Sequence, residues 1–342
     1  MEAGRKRTRG LARSLPALGL AALAVASLAG AQGRGAVYPG EDPLIGDLPA
    51  YTVGAEDSLM EVARRFDVGY EEIARANPGV DPFAPPVGEK LLIPTRWIVP
   101  SAARRADGIL VNLSEFRLYY AYRFQGQRLL ATFPVGIGTE GRRTPLGRWQ
   151  VVEKLTAPAW YVPPSIRRER PELPWVVPPG PGNPLGTHAL RLSAPGILIH
   201  GTHRPWSVGR EVSAGCIRLY PEDIVRLFRM VPVGTPVEIV REPVKVAAWG
   251  GRVYVEVDPD PAVADPPLAT ALRALEAARL LGRVDRSALA GACREGRGVP
   301  VDVTASPVAG QAQEGAAAHR GLRPLLLPSG AAATSSAGVR RP

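Results

Sequence analysis

The chain has 342 residues, of which 45% are hydrophobic and 22% charged. This composition excludes a wholly disordered chain and predicts two or more globular domains of modest size. The 36 prolines and 37 glycines favour a turn-rich, mainly β architecture over long helices. The formal charge of +10 is compatible with binding to a polyanionic partner. It is equally compatible with a basic surface that binds no partner, so charge does not decide the function.

Residues 1–31 have the three parts of a secretory signal peptide. A basic start is followed by an apolar run from Leu15 to Leu28 and by a small-residue cleavage site, Ala29-Gly30-Ala31. We therefore expect an exported protein with no stable membrane span after cleavage. The alternative is an uncleaved anchor, which is disfavoured because the run is shorter than the ~20 residues of a spanning helix. No cysteine follows the cleavage site, so a lipid anchor is not expected.

Residues 32–49 lack periodicity and are predicted to be an irregular lead-in, whereas residues 50–95 predict a compact βααβ unit. A strand at Tyr51-Thr52-Val53 precedes a helix whose start is marked by Ser58 and Glu61, the spacing of a capping box. One face of this helix carries an apolar stripe, formed by Leu59, Val62, Ala63 and Phe66. A second helix over 70–76 ends at Asn77-Pro78-Gly79, and a strand over 90–93 closes the unit.

Residues 106–242 predict a β-rich domain. Strands are expected over 109–112, 117–122, 129–135, 148–154 and 236–240, with one helix over 221–230. Residues 157–184 are crowded with proline and aromatic side chains and have no periodicity, which indicates a long ordered loop or lid. A glycine-rich turn at 136–138 does not precede a helix with Gly-Lys-Ser/Thr, so phosphate binding is not expected there.

The residues that carry chemistry lie between the lid and this helix. An apolar strand ends at His200, and a small-residue turn presents Cys216 just before another apolar element, so both side chains can emerge at the rim of one sheet. A thiol becomes a strong nucleophile as the thiolate, and a nearby imidazole can take its proton and return it to a leaving amine. We therefore predict Cys216 as the nucleophile and His200 as its partner.

Several neighbours are expected to support this pair. Gly201 and Gly215 remove side-chain bulk, and backbone N–H groups of the turn at Gly215 and Cys216 would form an oxyanion hole. Arg218 offers a fork for a substrate carboxylate. Thr202 and Trp206 are candidate substrate contacts.

The same residues also fit three arrangements that are not catalytic pairs. Cys216 and His200 would both suit the interior of a core. His188, His200, His203 and Cys216 would suit a zinc site, although no His-Glu-x-x-His helix is present and Pro205 interrupts a helix through His203. A disulfide between Cys216 and Cys293, the two cysteines of the chain, is the third. No metal or organic cofactor is expected.

Residues 243–304 predict a small α+β unit, with strands over 244–248, 252–257 and 299–303 and a helix over 268–281. Residues 305–342 are rich in alanine, glycine and serine and are expected to be a disordered tail.

Two resemblances join these observations. Tyr51-Thr52-Val53, Asp57-Ser58-Leu59, Ala76-Asn77-Pro78 and Leu92-Ile93-Pro94 resemble a LysM module, which implies binding to the glycan strands of peptidoglycan or chitin. His200-Gly201 followed by Ser213, Gly215, Cys216, Ile217 and Arg218 resembles the active-site pattern of the YkuD-type L,D-transpeptidases. Many members carry histidine where this chain has Ala214, so a role for a second imidazole is lost.

The second resemblance implies a transpeptidase of the periplasm or cell wall. It adds Ser213 to the supporting residues, and it implies a Cys216 thioester with the stem peptide that is passed to another stem peptide or to an envelope lipoprotein. Nucleic acid is not an expected partner. The alternatives are a wall-binding LysM protein whose second domain is inactive or acts as an L,D-carboxypeptidase, and a papain-type endopeptidase. The last is disfavoured because its cysteine precedes its histidine in the chain.

Overall fold

A computed structural model describes residues 35–306. The predicted signal peptide and nearly all of the predicted tail lie outside these residues. No helix within the described range is long and apolar enough to span a membrane. The fold is mainly β with α+β additions, as predicted.

The N-terminal part contains five short strands and three short helices. The strands are β1 (Val37–Pro39), β2 (Leu44–Asp47), β3 (Ala50–Thr52), β4 (Lys90–Leu92) and β5 (Thr95–Ile98), and the helices are α1 (Leu59–Arg65), α2 (Tyr70–Ala76) and α3 (Ser101–Arg105). The capping box at α1 is present, because Ser58 Oγ accepts from the Glu61 N–H and the Glu61 carboxylate accepts from the Ser58 N–H. Strands β3 and β4 pair antiparallel, giving the predicted βααβ unit.

The central part contains most of the strands. They are β6 (Gly108–Asn112), β7 (Arg117–Phe124), β8 (Gln127–Pro134), β9 (Ile137–Gly138), β10 (Gly147–Thr156), β11 (Trp160–Tyr161), β12 (Val176–Val177), β13 (His188–Leu192), β14 (Leu198–His200), β15 (Glu211–Ser213), β16 (Ile217–Arg218) and β17 (Pro236–Val240). Two helices accompany them, α4 (Pro164–Glu169) and α5 (Pro221–Met230).

A nine-stranded sheet organises this part, in the order β1-β8-β7-β6-β17-β10-β13-β14-β16. The strands curl around a buried core that includes Val111, Leu118, Phe133 and Ile199. Helix α5 buries Ile224 and Leu227 against this core. The sheet ends at β14, which carries His200, and at β16, which directly follows Cys216.

The other sheet face is covered by the βααβ unit. Residues of α1 and α2 share one apolar cluster with Leu110, Tyr119 and Leu130 of the sheet. An ion pair is buried within this contact, because the Arg117 Nε and Nη2 atoms donate to the two carboxylate oxygens of Glu72 over 2.8 and 2.9 Å. The Arg117 guanidinium lies over the Trp97 ring, 4.0 Å from the ring centroid. The Trp97 Nε1–H donates to the Glu72 carboxylate over 3.1 Å.

The C-terminal part is a small α+β unit. Strands β18 (Val244–Trp249), β19 (Arg252–Val257) and β20 (Val301–Asp302) form one sheet, packed with helices α6 (Pro267–Ala277) and α7 (Arg286–Glu295). Its Lys245 is fully buried and pairs with Glu115 of the central part and with Glu256. Glu256 also accepts from the Ile98 N–H over 2.5 Å, so one buried ionic cluster joins all three parts.

Three predictions about secondary structure were wrong. The lead-in was expected to be irregular, but β1 pairs with β8 and β2 pairs with β5. The single helix expected over 268–281 ends at Ala277, and α7 is an additional helix. The lid at 157–184 was expected to lack regular structure, but it contains the β11–β12 pair and α4.

Candidate active site

The register of two strands brings the predicted catalytic residues together. Strands β14 and β16 run parallel, with Ile199 opposite Ile217 and His200 opposite Arg218. Because both isoleucines point into the core, the residues beside them point to the other face of the sheet. His200 and Arg218 therefore lie on one face, and Cys216 directly precedes β16, in the turn that leads into it.

A tight turn presents the thiol. Gly215 adopts φ +108°, a conformation that side chains disfavour, directly before Cys216. The Ser213 hydroxyl closes this turn, because its Oγ accepts from the Gly215 N–H over 3.1 Å and donates to the Cys216 carbonyl over 2.5 Å. The Gly215 N–H thus already has an acceptor, contrary to the expectation that it is free for an oxyanion.

Burial keeps both catalytic candidates neutral at rest. Burial, together with the charge of Arg218, lowers the pKa of His200 from 6.5 to about 3, while the carbonyls of Gly201 and Leu185 favour the charged form and oppose the shift. The Gly201 carbonyl lies 2.5 Å from His200 Nδ1. Burial also raises the pKa of the Cys216 thiol, against smaller opposing effects of the Leu198 N–H and Arg218. A neutral imidazole is suited to act as a general base toward a neutral thiol. In this structure the Cys216 thiol donates to the Gly196 carbonyl over 3.5 Å.

A basic cavity of about 590 Å³ adjoins the thiol. Cys216 is not among its lining residues, but Ala214 and Arg218 on either side of it are. Five arginines line this cavity, namely Arg142, Arg170, Arg204, Arg210 and Arg218. The one acid in its lining, Glu169, is paired with Arg142. The Nε of Arg218 is buried without a hydrogen-bond partner, so it is available to an anionic ligand.

The remaining predicted residues have different surroundings. Trp206 lines the cavity and is 52% exposed, as a substrate contact would be. Thr202 is buried, and its hydroxyl accepts from the Arg204 N–H over 3.0 Å, so it supports the backbone rather than the cavity. A Cβ on Gly201 would lie 2.9 Å from the Ile224 side chain, which accounts for glycine there by packing.

Comparisons with known proteins identify the family of this chain. The family model of the YkuD L,D-transpeptidase catalytic domain matches residues 106–239, and that of the LysM domain matches residues 51–94. The chain is 36% identical over 291 residues to a probable L,D-transpeptidase, YcfS, of Escherichia coli K12, covering 80% of this chain and 89% of the relative. This chain belongs to the L,D-transpeptidase family.

Two further similarities are weaker in coverage. Probable L,D-transpeptidase ErfK/SrfK of E. coli K12 is 43% identical over 195 residues, which cover 55% of this chain and 60% of the relative. The solved catalytic domain of the E. faecium L,D-transpeptidase is 22% identical to this chain. The match covers 39% of this chain and 96% of the solved domain, with a TM-score of 0.31.

In the described part of this L,D-transpeptidase, the residues of the alternative disulfide and zinc sites do not come together. Both cysteines are free, so the disulfide between Cys216 and Cys293 is absent from the described residues. Within residues 35–306, the potential ligand atoms of His188, His200, His203 and Cys216 do not form a metal-sized cluster. The His188 ring instead packs edge-on against Phe228, with centroids 4.6 Å apart.

The LysM domain contacts the loop between His200 and Cys216, which we call the catalytic loop. The sequence did not predict this junction. The carbonyls of Val208 and Gly209, in the loop from His200 to Cys216, accept from the first N–H groups of helix α2 over 3.3 and 3.2 Å. Gly209 has φ +78°, and a Cβ there would lie 2.2 Å from the Tyr70 nitrogen. The catalytic loop therefore caps a LysM helix at contact distance.

We expect Gly209→Ala to destabilise this L,D-transpeptidase by about 2–3 kcal/mol, because the new methyl group meets backbone and the φ angle is unfavourable. Urea unfolding measures the loss. Gly282→Ala is the matched control, since a Cβ there meets no atom within 4 Å. Equal stability of the two variants would contradict a tight junction.

The stability of this L,D-transpeptidase should also depend on pH through His200. Because its pKa falls from 6.5 to about 3 on folding, its neutral form stabilises the folded state above pH 6.5, and this contribution is lost as the pH falls toward 3. We expect the difference in unfolding free energy between wild type and His200→Gln to shrink over that range. A difference that does not change with pH would show that His200 is solvated.

Proposed function

We propose that this L,D-transpeptidase acts on peptidoglycan through a thioester on Cys216. The observation that supports the proposal is that β14 ends at His200 beside β16, the strand that Cys216 directly precedes, and that Ala214 and Arg218 on either side of Cys216 line a basic cavity. Cys216 Sγ attacks the carbonyl carbon of the third stem-peptide residue, and its proton moves to His200. The C–N bond to the terminal D-alanine then breaks, and His200 returns the proton to the departing amine.

The oxyanion formed in this step requires a donor near the sulfur. Since the Gly215 N–H is bonded to Ser213, we assign this role to the Cys216 N–H. Ser213 and Gly215 act by fixing the turn that carries this N–H. Gly201 contributes by allowing the strand end that holds His200 to pack closely against α5.

In the second half, an amine attacks the thioester carbonyl and Cys216 leaves as the thiol. The amine is the side chain of another stem peptide, giving a cross-link, or a lysine of an envelope lipoprotein. Water as the acceptor would make the protein an L,D-carboxypeptidase. This chemistry requires no metal and no organic cofactor.

Binding follows from charge and domain composition. Stem peptides carry carboxylates, so the cavity arginines, with Arg218 nearest the thiol by sequence, are suited to hold them. Trp206 provides an exposed apolar surface at the same cavity. We infer that the LysM domain holds glycan strands and that the protein works in the periplasm or cell wall after export.

Mass spectrometry of muropeptides tests this proposal. Purified protein incubated with disaccharide-tetrapeptides is expected to release D-alanine and form cross-linked dimers. Released D-alanine without dimers would indicate the carboxypeptidase. Binding to wall fragments with no change in the stem peptides would favour the alternative, a wall-binding LysM protein with an inactive catalytic domain.

A further inference from the structure

One buried amide group joins the lid (residues 157–184) to Leu185, the residue that follows it. Asn183, at the end of the lid, is 1% exposed. Its Nδ2 donates to the carbonyls of Pro158, Val177 and Pro178 over 2.9, 3.2 and 3.0 Å. Its Oδ1 accepts from the Leu185 N–H over 2.8 Å. A single side chain therefore holds both ends of the lid and the residue that follows it.

The residues after Asn183 pack against Gly201, which holds the His200 ring. The Gly201 carbonyl lies 2.5 Å from His200 Nδ1, and the Leu185 carbonyl would lie 3.5 Å from a Cβ on Gly201. Gly186 has φ +69°, and a Cβ there would lie 2.9 Å from the Thr202 nitrogen. The Gly201 N–H donates to the His188 carbonyl over 3.2 Å. This segment thus packs tightly against the end of the strand, and a shift of Leu185 would disturb Gly201, whose carbonyl is the partner of the imidazole.

The lid also forms part of the cavity wall. Trp160 of β11 and Val177 of β12 face each other and line the cavity. Asn183 holds this pair from both sides, since Pro158 precedes β11 and Val177 ends β12. Loss of its donors would release the cavity wall, while loss of its acceptor would release Leu185.

We propose that Asn183 is a positioning residue that links the lid to the orientation of His200. It acts through Leu185 and Gly186, which pack against Gly201, whose carbonyl is the partner of His200 Nδ1, and it touches no reacting atom. The inference rests on the proposed roles of His200 and Cys216. It requires an amide, because only a group with donors on one atom and an acceptor on the other makes both sets of bonds.

The LysM domain supplies a matched control. Asn77 is also buried, its Nδ2 donates to the carbonyls of Ile73 and Leu92 over 2.9 and 2.8 Å, and its Oδ1 accepts from the Leu92 N–H over 2.7 Å. Asn77→Ala and Asn183→Ala each leave buried backbone groups unpaired, so both should destabilise the fold. Asn183→Ala alone should alter catalysis.

The first readout is the reactivity of Cys216 and needs no substrate. In a Cys293→Ala background, we expect Asn183→Ala to slow alkylation of Cys216 by iodoacetamide near neutral pH toward the rate of His200→Ala. Asn77→Ala should keep the wild-type rate and pH profile. If Asn183→Ala also keeps them, Asn183 has a structural role only and the inference is wrong.

The second readout is turnover of a tetrapeptide donor. Because a misplaced base costs about 100-fold, we expect Asn183→Ala to lower kcat by that order and to raise KM. Asn183→Asp keeps the acceptor for Leu185 but loses the lid donors, so it should raise KM and retain most of kcat. Asn183→Ser, which adds no charge and keeps a hydroxyl in the buried site, serves if the alanine variant does not fold. Wild-type KM and kcat in both variants would overturn the inference. Absence of turnover in the wild type, with alkylation still dependent on Asn183, would instead overturn the proposed function.

Discussion

Cys216→Ala is expected to reduce transpeptidation by at least about 10⁴-fold, the scale seen when a covalent nucleophile is removed. The substitution deletes only the sulfur atom, and the Ser213–Gly215 hydrogen bond that shapes the turn does not involve it. The unfolding midpoint should therefore stay close to that of the wild type. Rates of dimer formation and thermal unfolding of the same preparations provide the two measurements.

The matched control is Cys293→Ala. Cys293 is also a partly buried free cysteine, but it belongs to α7 and packs against the core of the C-terminal unit. Its loss should leave kcat and KM unchanged. Full activity in Cys216→Ala, or equal losses in both variants, would contradict the assignment of the nucleophile.

Arg117→Met is expected to lower the unfolding free energy by about 3–5 kcal/mol, because it leaves the buried Glu72 carboxylate without its partner. Arg117 is 0% exposed and Glu72 is 4% exposed, so water cannot replace the lost contact. The pair lies between the LysM domain and the main sheet. Denaturant unfolding should therefore show the loss, together with greater proteolysis of the LysM domain.

A surface arginine provides the comparison. Arg148 is 86% exposed and pairs with Glu238, so Arg148→Met should change stability by less than about 1 kcal/mol. The double variant Arg117→Met with Glu72→Met should recover part of the loss, since no unpaired charge remains. A small effect of Arg117→Met alone would mean that the interface is hydrated in solution.

Local signals in the sequence were enough to predict several elements. Helix α5 has the predicted bounds, because Pro221 starts it and its apolar residues recur on one face. The capping box at Ser58 likewise depends only on residues three apart. Helix α7 was missed although Asp285 caps its start and Gly296 ends it, so those signals could have identified it.

The features that could not be predicted depend on contacts distant in sequence. Strand β1 is buried because it pairs with β8, and nothing in residues 32–49 indicates that partner. In the candidate site, the order of His200 and Cys216 in the sequence was enough to propose a base and a nucleophile. The hydrogen bond from the Gly215 N–H to Ser213 could not be predicted, because it depends on the geometry of the turn. The contact of Gly209 with Tyr70 joins residues far apart in the chain and leaves no local pattern.

The measurement that tests the central claim most directly is the mass of the acylated protein. A carbapenem carries a strained carbonyl that stands in for the donor amide, so incubation with the intact protein should add one acyl group. Peptide mapping should place it on Cys216, and prior treatment with iodoacetamide or the Cys216→Ala substitution should prevent it. An adduct on a serine, or no adduct in folded protein that binds wall fragments, would contradict a thioester mechanism at Cys216.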